Sequence, residues 1–309
     1  MPLGSQPLFD AHVPSAEALR ALEAHPRFSA ALRIIAAGGV AQYRGNRILN
    51  MMITDRARFL IGVFAIHLHD LSRPGDPRSG LTLSRIKAIC VEQKICSAGR
   101  AEAMLVLMRM LGYLASARSE EDRRLHRLVP TDALIAWHRE RLSFTLEAVA
   151  NLLPEGAQAL AALRSPDFSP NFLVRFVSHV ARLYLTGFYY VDHVPEMKLF
   201  FERNAGVVIL FSIMLSGETT DGFPPRGPVL IFPARLARQF GVSRSHVRRM
   251  VQEAINAGLL ERDETRPDCY RVLPALHAAF SRITALYILH NAHAARAALA
   301  EIEPRSEVA

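Results

Sequence analysis

Cysteine is scarce in this chain, with three residues among 309: Cys90, Cys96 and Cys269. The number is odd and the spacing fits no zinc pattern, so a disulfide framework is not expected, and a reducing, cytoplasmic setting is. Long apolar runs are also missing. The longest, from Ala205 to Leu215, falls short of the ~20 residues that span a bilayer. The stretch from Met1 to Pro14 lacks the charged run and apolar core of a secretory leader. No long basic amphipathic helix stands out, so no membrane partner is expected. There is no Gly-rich phosphate loop, no Gly-x-Ser-x-Gly elbow and no paired-carboxylate motif, and an enzyme reading therefore has no residues behind it. The nearest thing to a metal cluster is His67-Leu-His69-Asp70. On a helix, positions i and i+2 point apart, so these rings do not converge; no metal or cofactor is expected.

What is present is positive charge. Lys and Arg number 37 against 29 Asp and Glu, a formal net charge of +8, and half of the residues are hydrophobic. The length suits two modest domains with cores of their own. The charge favours a polyanionic partner.

The chain also reads as written twice. Asp55-Arg56, Phe64 and Ile66 match Glu202-Arg203, Phe211 and Ile213, all 147 positions apart, and Tyr43 matches Tyr190 at the same spacing. Ser97 and Gly112 match Ser243 and Gly258, 146 apart, and Arg127-Leu-Val-Pro130 matches Arg271-Val-Leu-Pro274, 144 apart. The shifts fall at a turn and at a hairpin, where insertions are tolerated. Two copies of so large a unit make two homologous domains rather than a solenoid, about 1–150 and 151–309. The join is expected in the turn formers of 151–156 or 165–170.

The second copy carries the strongest pattern. Pro233 suits a helix's first turn, and Leu236 and Phe240 share one face. Gly241 stops that helix, Val242 plugs the turn, and Ser243 is a good N-cap. In the next helix Val247, Met250, Val251 and Ala254 recur at helical spacing and should face the core, with Gly258 closing it and Leu259-Leu260 beginning a strand. The opposite face carries Arg244, Ser245, His246, Arg248, Arg249 and Gln252. Arginine suits bidentate contact with guanine and with phosphate. Residues 261–268 form a polar hairpin tip, from which Arg262 and Arg266 would reach the DNA backbone. A helix, a turn, a second helix with a basic face and a hairpin together read as a winged helix-turn-helix.

The first copy follows the same plan: a leading helix over 83–90, a second over 97–112, and a wing over 113–131. Here the chain resembles the multiple-antibiotic-resistance regulator (MarR) family of winged-helix repressors. Residues 243–251 and 257–262 look like its recognition helix and first wing strand, and 121–131 like its wing and the entry to the next helix. The resemblance implies a mainly α fold with small β-wings. It implies two tandem DNA-binding lobes, about 56–131 and 203–275, flanked by dimerisation-type helices as a pseudo-twofold dimer within one chain. It further implies a transcriptional regulator of double-stranded DNA, a repressor; whether two such chains self-associate further is left open by the sequence. A small aromatic effector would lie among Tyr43, Phe64, His67, Trp137, His138, Tyr189, Tyr190 and Phe211; plain core packing is the other reading of these rings.

One departure bears on function. At the 146 spacing Arg244, Arg248 and Arg249 become Ala98, Glu102 and Ala103, which leaves Arg100 on the first helix and Arg123 and Arg124 in its wing. The second head is therefore expected to read bases, the first to hold backbone, and the operator to be asymmetric. The rival is a protein-interaction scaffold on degenerate winged helices that binds no DNA.

Overall fold

Helix-favouring periodicity dominates the chain, and the computed structural model is mainly helical with small antiparallel sheets. It describes residues 9–10, 13–43, 56–73, 76, 79–117, 127–167, 169–218 and 222–302. Contacts divide the chain into two units. Unit 1 comprises Met1–Asp55, Phe144–Ala157 and Tyr189–Ala292; unit 2 comprises Arg56–Ser143, Gln158–Phe188 and His293–Ala309. These differ from the halves expected at 1–150 and 151–309. Each unit takes its leading helices from one half and its helix–helix–hairpin array from the other.

Packing explains the exchange. In unit 1, α1 (Ala16–Glu23) is followed by α2 (Phe28–Gln42), which packs against α11 (Gly206–Met214). Ala31, Leu32, Ile35 and Ala36 of α2 are buried, as are Val208, Ile209, Leu210 and Ile213 of α11. Gly39 permits the approach, since a Cβ there would sit 2.8 Å from the Phe211 ring. In unit 2, α3 (Arg56–Asp70) packs against α8 (Ser169–Leu185), burying Phe64 and Ile66 of the one and Phe172 and Phe176 of the other. Helices apolar around most of their circumference need cover on several sides, and a partner distant in sequence supplies it.

Two short strands, β1 (Phe9–Asp10) and β2 (Val13–Pro14), pair antiparallel ahead of α1. The first array consists of α4 (Leu83–Glu92), α5 (Ala98–Met110), β3 (Leu114–Ala117) and β4 (Arg127–Pro130). Then come α6 (Asp132–Ala150) and α7 (Pro154–Arg164). Two short helices, α9 (Tyr190–His193) and α10 (Lys198–Phe201), precede α11. The second array consists of β5 (Pro228–Leu230), α12 (Pro233–Phe240), α13 (Arg244–Asn256), β6 (Leu260–Arg262) and β7 (Cys269–Val272), and α14 (Pro274–Ile302) follows it. The second sheet is three-stranded in the order β5-β7-β6; β5 was not anticipated from sequence. In the first array the isolated bridge of Thr82 to Arg127 lies beside the β3–β4 pair.

The two arrays share backbone detail. Ser97 accepts from the Arg100 N–H at 3.3 Å, and Ser243 from the His246 N–H at 3.1 Å, one cap per array. The hairpin corrects the alignment at its second strand. Leu114 pairs with Pro130 and Leu260 with Val272, so the strand partners lie 142 apart rather than 144.

The arrays differ at the turn between their helices. Gly241 occupies it at φ +68°, whereas the first array places Lys94 at φ +50°. Among the described residues, no atom beyond its chain neighbours lies within 4 Å of a Cβ built on Gly241, so only backbone conformation is at stake. Gly241→Ala is expected to cost about 1 kcal/mol, and Lys94→Gly to cost nothing or stabilise slightly. Urea denaturation of the two variants checks both signs.

Candidate nucleic-acid interface

The basic face is built by burial of its opposite. Val247, Met250, Val251 and Ala254 are buried, which turns Arg244, Ser245, Arg248, Arg249 and Gln252 into solvent. Among the described residues, no acid pairs with Arg244, Arg248 or Arg249. The helix's own acid, Glu253, is held by Arg203 and does not dilute the arginines. His246 is half-buried, and its Nε2–H donates to the Asn204 carbonyl at 2.9 Å, so it anchors the helix start. Gln252 donates to Asn256 Oδ1 at 3.0 Å.

Two further cations stand on the preceding helix. Arg235 and Arg238 of α12 are exposed, and no described acid engages them. Sequence reading passed over them, although their i, i+3 spacing opposite Leu236 and Phe240 was a usable signal. In the hairpin Arg262 is exposed at the end of β6. Arg266 is engaged: its Nε and Nη2 donate to Asp263 Oδ2 at 3.2 and 3.1 Å. The Thr265 hydroxyl and N–H also donate to Asp263, and together with Arg266 they hold that carboxyl well below its usual range. Arg271 is paired across the strands with Glu261 at 2.8 Å.

The first array presents a different surface. Glu102 accepts from Lys87 Nζ at 2.7 Å, so its charge is offset locally. Arg100 is exposed. Arg123 and Arg124 lie outside the described residues. Elsewhere on its surface α5 exposes Ala103, Val106 and Met110.

The eight aromatic and histidine positions fall in both units. In unit 2, Phe64, His67, Trp137 and His138 are buried. Trp137 meets His138 edge-on at 4.5 Å and Phe59 at 6.3 Å. His67 Nδ1 lies 2.7 Å from Ser178 Oγ. Burial, then the neighbouring Arg182, pushes its pKa down to about 4. His138 is pushed in the same direction, first by burial and then by Arg141. In unit 1, Tyr43 stands edge-on to Phe240, Phe211 edge-on to Phe280, and Tyr190 beside Tyr287 and His290. Tyr189 is half-buried. These contacts are those of packed core. Cys90 is buried with its thiol pushed up to about 12 by burial and the adjacent Cys96, which is half-buried. No described helix is long and apolar enough to cross a membrane.

No family model, curated protein or solved structure matches this chain.

Proposed function

We propose that this protein binds double-stranded DNA as a tandem winged helix-turn-helix regulator of the MarR type, with α13 as its recognition helix. The observation that carries this reading is the set Arg244, Arg248 and Arg249. They stand exposed and unengaged by described acids on a capped helix whose other side is buried. A guanidinium left unpaired at the surface can make bidentate contacts to guanine O6 and N7 or to phosphate. Arg235, Arg238 and Arg262 add backbone contacts around it. Arg266 contributes less, because Asp263 already occupies its fork. Base reading rests with the second array, since Ala98, Glu102 and Ala103 of the first offer no cation. The operator is then asymmetric, and repression follows where such a site overlaps a promoter. The aromatic positions pack as core, and the reading does not require an effector. Footprinting on genomic fragments between 50 and 200 mM salt tests it. A DNA binder that neutralises several phosphates loses affinity steeply over that range. A flat salt response with no protected site overturns the proposal. It would favour the interaction-scaffold reading, which one observation supports independently: the apolar face of α5.

A further inference from the structure

The duplication gave the two arrays equivalent second helices, and they diverged on one stripe. Gly99, Ala103, Val106 and Met110 of α5 stand where α13 has Ser245, Arg249, Gln252 and Asn256, at the 146 spacing. The first set steps by four, three and four residues, the spacing of a coiled-coil seam. Its members are exposed, Val106 at 48% and Met110 at 79%. Val106 and Met110 continue into a shallow groove lined also by Arg109, Leu114 and Ser116. A Met and a Val left in water beside each other on a helix face are costly unless something covers them.

Charge and size on the stripe point to the occupant. Glu102 and Arg109 stand immediately before Ala103 and Met110, the positions that flank a seam. When two copies of α5 lie antiparallel about a twofold axis at Val106, the residue before one seam position faces its counterpart from the other copy. Glu102 of each then meets Arg109 of the other. Met110, the largest seam residue, lies over Ala103, among the smallest, and Val106 meets Val106. Glu102 has capacity for this contact, since Lys87 holds Oε2 and the side chain remains 47% exposed. No described acid engages Arg109. The equivalent face of α13 would set Arg248 against Ile255 and Arg249 against Asn256, so it forms no reciprocal ion pair.

We infer that α5 is a self-association surface, and that two chains join antiparallel through the seam Ala103–Val106–Met110 with reciprocal Glu102–Arg109 ion pairs. A seam of three residues per chain falls short of the roughly 1,200 Å² at which stable interfaces begin, so pairing is weak and depends on concentration. Where the DNA-binding reading also holds, the dimer carries two reading heads, one on each chain. The seam itself does not depend on that reading.

Sedimentation equilibrium of the full chain, without DNA, over low to high micromolar concentrations tests it. The wild type should show a monomer–dimer equilibrium. Val106→Glu and Met110→Glu should each raise the dimer dissociation constant at least tenfold, with helix content and melting unchanged because both sites are exposed. Arg109→Glu should weaken pairing, and adding Glu102→Arg should recover it by exchanging the two charges. A chain that stays monomeric throughout, or a dimer indifferent to Val106→Glu, overturns the proposal. Failure of the charge exchange to recover pairing overturns the antiparallel arrangement. As no nucleic acid enters the assay, its result stands apart from that of the footprint.

Discussion

Replacing Arg248 and Arg249 together by alanine is expected to lower affinity for a mapped duplex site by about 100-fold or more. Each bidentate arginine contact to a base contributes about 1–3 kcal/mol. An arginine that touches only phosphate instead reduces the salt slope by about one per side chain. Binding isotherms at several salt concentrations therefore assign each arginine to base or backbone. Neither substitution should disturb the fold, because both side chains are exposed and no described acid holds them; surface changes of this kind stay within about 0.5 kcal/mol. Glu102→Ala is the matched control in the first array. Its carboxylate is already offset by Lys87, and at protein concentrations too low for two chains to pair, affinity should stay within about twofold. A larger loss from Glu102→Ala than from the arginine pair would reverse the assignment of roles.

Mild acid should destabilise the protein through His67. In the unfolded chain this ring titrates near 6.5, whereas burial beside Ser178 lowers its folded pKa to about 4. Between those values the unfolded chain binds a proton that the folded one refuses. The contribution is fully present above pH 6.5, declines as the pH falls, and is exhausted near pH 4. A shift of this size is worth about 3 kcal/mol. His138, buried and shifted the same way, adds to the slope. Urea denaturation at a series of pH values, comparing wild type with His67→Gln, isolates the effect from carboxylate titration. The stability gap between the two should narrow as the pH falls from 6.5 to 4.5. A gap that stays constant would mean that the imidazole is not held neutral by its surroundings.

The second array was the most legible part of the sequence because its information is local. Gly241 in a left-handed turn, the Ser243 cap and the burial of Val247, Met250, Val251 and Ala254 each follow from a few adjacent residues. In the first array the observed helices, Leu83–Glu92 and Ala98–Met110, lie close to the expected 83–90 and 97–112. Long-range features were harder to see. Strand β5 is three residues long and pairs with β7 some forty positions on, so no periodicity announces it. The matched letters Arg127-Leu-Val-Pro130 and Arg271-Val-Leu-Pro274 suggested one register, but hydrogen bonding across each hairpin set another. Arg266 looked available until the fold curled the hairpin tip around Asp263. The loss of cations from α5 was plain in the letters. Its apolar seam emerged only once the buried side of the helix was known.

The exchange of leading helices has a consequence during synthesis. The first array is translated well before α8, the helix that covers α3. A fragment ending near residue 150 would expose the apolar flank of α3 and should aggregate or recruit chaperones. Two half-length polypeptides made together could still complement one another, each donating the cover that its counterpart lacks.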